Sequence, residues 1–358
     1  MNPPVLQPCE NVHIIWNNKK YLFFGGYDYY RLSHDPGIKN TIIQTLELFG
    51  LNCGGSRATT GNHPLHTELE KKITEFLQTE ETAILPSGYQ ANIALFEVFS
   101  GKHLHVYFHP ECHPSLKVPI KMSGLPSSEI PCDLEVWEKH IKAHGRKPCV
   151  VTNAVNTQFP ALKDYEAIVE KYEGALVVDE AHTMGLIGEH GRGVIEYFNI
   201  SKKHLLITGS LSKAAGVSGG FVSGLAGCVG AVRSSTAYVA TSAMPLPTVA
   251  AASKAIDIFI ENPDMIKMLQ ERSLTFKQKL NDLGYDVPVN PAPAINIIIR
   301  DNDEILALSS RLEKAGIYPS FISYLGKEDF FRFTLSSAHS EEQVETLLRV
   351  LSEHKTAK

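Results

Sequence analysis

The chain has 358 residues, with 39 acidic and 34 basic side chains, a net charge of −5 and 43% hydrophobic residues. This is the balance of a soluble globular protein, with material for one large core or two domains. It has no Lys/Arg block suited to nucleic acid or an anionic membrane surface. No run approaches the roughly 20 apolar residues of a membrane span. The start, Met1-Asn2-Pro3-Pro4, lacks a charged region followed by an apolar one, so no secretory signal is read and a cytoplasmic protein is expected. The six cysteines (Cys9, Cys53, Cys112, Cys132, Cys149, Cys228) form no C-x-x-C pair. They read as thiols in a reducing compartment, and no metal site is expected.

In chain order, a helix is expected where Leu69, Ile73, Phe76 and Leu77 fall on one face. Short apolar runs then predict strands over 82–85, 104–108, 149–152, 176–178, 205–208 and 220–223, with helical stretches between several of them. Strands separated by helices imply crossovers and a mostly parallel sheet flanked by helices, an α/β architecture. After Met244-Pro245-Leu246-Pro247 the pattern changes to a long helical stretch, a strand over 294–299, a helix ending near Gly316 and a strand over 331–335. The last helix opens with a capping box, Ser340 with Gln343, and carries Val344, Leu347, Leu348 and Leu351 as its apolar stripe. The expected division is an N-terminal segment over 1–40 packing on the small domain, a large domain over 41–244 and a small α+β domain over 245–358.

Four segments carry chemistry. Lys213, in Leu211-Ser212-Lys213-Ala214-Ala215-Gly216, follows a buried strand and sits among small residues. Desolvation there makes an amine nucleophilic, as a Schiff base requires. Ser210-x-x-Lys213 also matches a serine/lysine hydrolase pattern, but no Ser-Asp-Asn or Lys-Thr-Gly partner accompanies it. Asp179 closes the apolar run Val177-Val178, where open α/β sheets place ligand contacts. The string Asp179-Glu180-Ala181-His182 invites a helicase reading, which fails for want of a phosphate loop. In Pro86-Ser87-Gly88-Tyr89 a strand turns into a helix N-terminus, an anion-binding arrangement. His109 to Ser115 follows the next strand and supplies a histidine for stacking or proton transfer.

Together these segments resemble the pyridoxal-phosphate (PLP) enzymes of the aspartate-aminotransferase fold type I, and within them the α-oxoamine synthases, from about Phe23 to Leu351. The specific matches are Gly54-Gly55-Ser56-Arg57, Thr60-Gly61-Asn62, His66, Leu69-Glu70, Ser87-Gly88-Tyr89, Ala91-Asn92 and Asp179-Glu180-Ala181-His182. Further along come Gly185, Gly188, Gly191-Arg192-Gly193, Ser212-Lys213-Ala214, Gly216, Gly219-Gly220, Thr241-Ser242-Ala243-Met244-Pro245, Arg332 and Ala338-His339. Ser56-Arg57 followed by Thr59-Thr60-Gly61-Asn62 looks most like the 8-amino-7-oxononanoate synthase branch, which serves biotin biosynthesis.

The resemblance implies roles. Lys213 would bond the cofactor aldehyde and later move protons at the substrate Cα. Asp179 would pair with the pyridine nitrogen. His182 and Thr157 would meet the phenolic oxygen, and His113 would stack on the ring and touch the acyl carbonyl. Ser87, Gly88, Tyr89 and Ser210 would surround the phosphate. Thr241 and Ser242 would reach it from a neighbouring subunit, which implies a homodimer with shared sites. Arg332 would grip the amino-acid carboxylate. The implied reaction condenses an α-amino acid with an acyl thioester, most often acyl-CoA, with loss of CO2 to an α-amino ketone.

The sequence departs from the family on the substrate side. Tyr27 stands where the family has a carboxylate-binding Asn, and Tyr30-Arg31 replace a small pair. The run Thr152 to Gln158 is a reduced form of a longer family motif, and Tyr324-Leu325-Gly326 replaces a Pro-containing turn. The first 20 residues contain no arginine. Tyr27 favours an alternative, another PLP reaction on the same scaffold: transamination, decarboxylation or aldol cleavage. Joint retention of Lys213, Asp179, His182 and His113 argues against a PLP-binding relative without turnover.

Overall fold

The computed structural model describes residues 3–131, 133–323 and 328–356. Three short strands open the chain, β1 (Gln7–Pro8), β2 (His13–Trp16) and β3 (Lys19–Leu22). Next come α1 (Pro36–Phe49), α2 (Pro64–Leu77), β4 (Glu81–Leu85), α3 (Gly88–Phe99), β5 (Leu104–Phe108), α4 (Pro114–Met122), β6 (Ser127–Glu129) and α5 (Leu134–His144). The middle continues with β7 (Lys147–Asn153), α6 (Leu162–Lys171), β8 (Ala175–Asp179), α7 (Val194–Tyr197), β9 (Leu205–Ser210), β10 (Gly220–Gly224), α8 (Ala226–Val232), α9 (Thr236–Val239) and α10 (Leu246–Glu261). The last elements are α11 (Pro263–Asp282), β11 (Ala294–Ile298), α12 (Asn302–Lys314), β12 (Phe321–Ile322), β13 (Phe330–Thr334) and α13 (Glu341–Thr356).

Contacts divide the chain into a larger unit, 32–266, and a smaller one, 1–31 with 267–358. The larger unit holds a seven-stranded sheet in the order β4-β10-β9-β8-β7-β5-β6. The strands from β6 to β9 pair in parallel, and β10 runs antiparallel to both β9 and β4. The parallel strands are buried on both faces, so Cys149-Val150-Val151 and Leu176-Val177-Val178 are continuous apolar runs. All six strands expected here form. β6 was not expected: its Ser-Ser-Glu has no apolar signal, because it is a three-residue edge strand.

One core packs Leu95, Phe96, Leu116, Val106, Val151 and Val222 together under α3 and α4. In α2, Leu69, Ile73, Phe76 and Leu77 are all buried, as their spacing predicts. α10 lies against α1 and α2. The contact boundary therefore falls after Ile266, whereas the reading from sequence places it at 244/245.

The smaller unit contains two antiparallel sheets, β1-β2-β3 and β11-β13-β12. Asn17 and Asn18 join β2 to β3, both at positive φ (49° and 60°), the two-residue turn whose twist suits a hairpin. The N-terminal segment pairs with the C-terminal residues: Leu22 bridges Ile317, and Thr334 N donates to Phe24 O at 2.6 Å. The expected capping box forms at α13, where Ser340 N donates to Gln343 Oε1 (2.9 Å) and Gln343 N to Ser340 Oγ (3.2 Å). Tyr324-Leu325-Gly326 lies outside the described residues. Among the described residues no helix is long and apolar enough to cross a membrane.

Candidate active site

Parallel pairing brings the carboxyl ends of β5, β7, β8 and β9 to one edge of the sheet. Asn153 pairs with Asp179, and Asp179 with Thr208. Gly220 pairs with both Ser210 and Leu85, so the exit of β4 reaches the same edge. The turns leaving these ends carry Ser87, His113, Thr157, His182 and Lys213. Sequence separations of up to 126 residues thus collapse onto one rim of the larger unit (213 − 87 = 126).

The rim begins with the N-terminus of α3. Ser87, in extended backbone, caps the helix by accepting from Gln90 N at 3.2 Å. The amides of Gly88 and Tyr89 lie in the first turn, which has no intrahelical acceptors for them. Two glycines press this turn onto the sheet. A Cβ on Gly220 would stand 2.3 Å from Gly88 N, and one on Gly88 would stand 3.1 Å from Gly209 O and 3.2 Å from Ser210 Cβ. Ser210 is thereby held beside the helix start, while Tyr89 is exposed.

Asp179 ends β8 with both oxygens engaged. Oδ2 accepts from Asn92 Nδ2 at 3.1 Å and Oδ1 from Ala181 N at 3.0 Å. Asn92 is fully buried in α3 and also donates to Ser115 Oγ at 3.3 Å. The Ser115 hydroxyl reaches His113 Nδ1 at 2.8 Å, and Ser115 N donates to the same nitrogen at 3.1 Å. His113, Ser115, Asn92 and Asp179 therefore form one hydrogen-bonded chain. Donors on Nδ1 leave the His113 proton on Nε2. Asn92 and Ser115 were legible only as parts of quoted runs, with no role of their own, because their role depends on α3 and α4 packing together.

Glu180 serves the architecture. It is fully buried, accepts from Val194 N (3.1 Å), Ile195 N (3.0 Å) and the Thr183 hydroxyl, and folds the 181–193 turn over itself. Gly193, at φ 90°, is required because a Cβ there would strike the Glu180 carboxylate. Burial pushes this carboxyl up to about 7. The Arg57 motif is architectural too. Its guanidinium forks onto buried Glu70 (2.9 and 3.1 Å), which also accepts from Ile84 N at 3.1 Å.

The other expected residues are placed as follows. Half-buried His182 lies in the turn after β8. Lys213 is half-buried between fully buried Leu211 and nearly buried Ala214, and its carbonyl accepts from Gly216 N at 3.0 Å. Thr157 is exposed, and its amide and hydroxyl both donate to Glu111 Oε2 at 2.6 Å. Thr241 donates its hydroxyl to Ala237 O at 2.8 Å and accepts from Gln90 Nε2, while exposed Ser242 bridges Ser56. Tyr27 and Arg332 belong to the smaller unit. There Arg332 Nη1 donates to the Tyr27 hydroxyl at 2.8 Å and Nε to Asn296 Oδ1 at 3.0 Å. The Tyr27 substitution thus engages the very arginine expected to bind a carboxylate.

The donor set fits PLP. A helix start cradled by glycines offers amides and the Ser87 and Ser210 hydroxyls to a phosphate. A strand-end carboxylate oriented by two donors suits a protonated pyridine nitrogen, and a lysine follows the next strand.

Residues 20–351 match the aminotransferase class I and II family. A protein of Acetivibrio thermocellus provisionally named an 8-amino-7-oxononanoate synthase is 31% identical over 352 residues, 96% of this chain and 91% of its own. A serine palmitoyltransferase of Sphingobacterium spiritivorum is 28% identical over 366 residues, 97% of this chain and 91% of its own. Among solved structures, a serine palmitoyltransferase of Sphingomonas wittichii superposes with a TM-score of 0.89 at 27% identity, over 97% of this chain and 90% of that one. The chain belongs to the aminotransferase class I and II family.

Proposed function

We propose that the protein is a PLP-dependent C-acyltransferase of the α-oxoamine synthase type. It would join an α-amino acid to an acyl-CoA thioester, giving an α-amino ketone, CO2 and the free thiol. The carrying observation is the clamp on Asp179, whose oxygens are held by Asn92 and Ala181 at the sheet edge shared with the α3 N-terminus and Lys213. The relatives named as acyl-transferring synthases support the reading.

Ser87, Ser210 and the Gly88 and Tyr89 amides would hold the cofactor phosphate, and Lys213 would hold its aldehyde carbon. When bound, PLP supplies an electron sink for the pair left at the substrate Cα. Asp179 keeps a proton on the pyridine nitrogen. His182 would meet the phenolic oxygen, and Thr157 would do so once its hydroxyl leaves Glu111. Lys213 Nζ takes the Cα proton and returns a proton to the product. His113 would stack on the ring and offer its Nε2 proton to the thioester oxygen, where negative charge develops. Arg332 receives the amino-acid carboxylate. Thr241 and Ser242 serve the phosphate of a second copy, making a homodimer, and the enzyme is cytoplasmic.

The test is a screen of amino acids by cofactor spectrum, followed by acyl-CoA addition with thiol detection. Wild-type protein takes up PLP with visible absorbance that Lys213→Ala abolishes, and one amino acid supports thiol release. A wild-type protein that stays colourless with PLP overturns the reading. The 8-amino-7-oxononanoate synthase reaction of biotin biosynthesis comes first in the screen, because the run from Ser56 to Asn62 looks most like that branch. Tyr27 on Arg332 favours a second reading, another PLP reaction without an acyl thioester. Spectral change with an amino acid but no thiol release would select it.

A further inference from the structure

Away from the rim, three histidines meet beneath α5. His105 is the second residue of β5, near its amino end, whereas the candidate site lies beyond its carboxyl end. Tyr107, two residues on, shares its face of the sheet, and the two rings stack at 4.6 Å. α5 covers that face with Trp137, His140 and His144, at helical spacing. One ring nitrogen from each of His105, His140 and His144 lies within 4.8 Å of the other two.

One nitrogen of each ring has a hydrogen-bond partner. His105 Nε2 bonds Ser128 Oγ at 2.7 Å, His140 Nδ1 bonds the Tyr107 hydroxyl at 3.1 Å, and His144 Nδ1 bonds the His140 carbonyl at 2.8 Å. Such partners orient metal-binding imidazoles and set which nitrogen keeps its lone pair. His105 Nδ1 is left buried with no hydrogen-bond partner, on a residue only 4% exposed. A buried ring nitrogen without a partner, on a residue clustered with two further imidazoles, is what a bound metal ion would satisfy.

We propose that His105, His140 and His144 form a site for a divalent transition-metal ion of the zinc class, separate from the cofactor site. Three imidazole nitrogens at about 2.0–2.1 Å from zinc stand about 3.3 Å apart, inside the 4.8 Å within which these three already lie. The exposed side of His144 leaves a fourth position to water. The ion ties α5 to β5 and satisfies His105 Nδ1. Nothing in the cysteine pattern signals this site; the one sequence trace is the His140/His144 pair at i, i+4.

The test uses the full-length, untagged, PLP-loaded protein dialysed against micromolar Zn2+, with bound metal counted by mass spectrometry. Wild type retains one zinc per chain, and X-ray absorption reports three imidazole nitrogens. His140→Ala/His144→Ala, both on the accessible side of the cluster, binds roughly 100-fold more weakly or worse. Zn2+ raises the melting temperature of wild type relative to chelator-treated protein and leaves that of the double variant unchanged. Single His105→Gln, with its fold checked by circular dichroism, also loses the zinc. Wild type that takes up no zinc, or a double variant that takes up as much as wild type, overturns the proposal.

Discussion

Acid lability is expected to run through His339, in the turn between β13 and α13. Its ring is 3% exposed and stacks on Phe24 at 4.1 Å, nearly parallel. Nδ1 accepts from Ser336 N at 2.9 Å, so the proton sits on Nε2 and is donated to Phe23 O at 3.1 Å. The folded chain therefore requires the neutral ring, and burial holds His339 down at about 4. Above the unfolded value of about 6.5 neither state is protonated, and the full stability is present. As the pH falls below 6.5, the unfolded chain binds a proton that the folded one refuses. The loss is about 2 kcal/mol between pH 7 and pH 5, levelling off near 3 kcal/mol once the pH passes below 4. Urea unfolding at pH 7, 6 and 5 measures it, comparing wild type with His339→Asn, whose amide oxygen can still accept from Ser336 N. The variant starts less stable at pH 7 but loses about 2 kcal/mol less on going to pH 5. Other histidines with lowered values, such as His66 and His109, are common to both proteins and cancel in the difference. Equal losses in the two proteins would refute the argument.

Two substitutions probe the site. Asn92→Leu, nearly isosteric, removes a buried donor to the Asp179 carboxylate and should lower stability by about 1.5–3 kcal/mol in urea and weaken PLP binding at least several-fold in a spectral titration; unchanged PLP affinity would remove the clamp from the account of the site. Tyr27→Phe takes away the hydroxyl that braces Arg332 and should raise the amino-acid KM roughly fivefold, about 1 kcal/mol, with kcat changed less; a KM within twofold of wild type would separate Tyr27 from substrate binding.

The buried strands of the large sheet, β11, β13 and several helices were legible because burial is written into their composition, whereas β1, β2, β3 and β12 were not expected. Parallel strands covered on both faces need unbroken apolar runs, as in Leu205-Leu206-Ile207, and α2 repeats its apolar residues at helical spacing. The hairpin signal Asn17-Asn18 was also present, although the surrounding strands are short and polar. β6 was illegible because an edge strand of Ser-Ser-Glu is specified by its neighbour β5 rather than by its own side chains.

The sequence by itself supplied the residue types expected for the chemistry and their order: Ser87, His113, Asp179, His182, Ser210 and Lys213, each at or just after the end of a strand. The expected roles of those positions come from the family resemblance, and local pattern gave only their places relative to the strands. Tertiary structure alone decided which side chains support them. Asn92 bonds Asp179 directly and is tied through Ser115 to His113 only because α3 and α4 pack together, and Glu180 turned inward because its acceptors face the Val194 and Ile195 amides. Tyr27 and Arg332 met for the same reason, 305 residues apart in sequence. Hydrogen-bond partners across such separations are set by packing distance, to which local sequence pattern is blind.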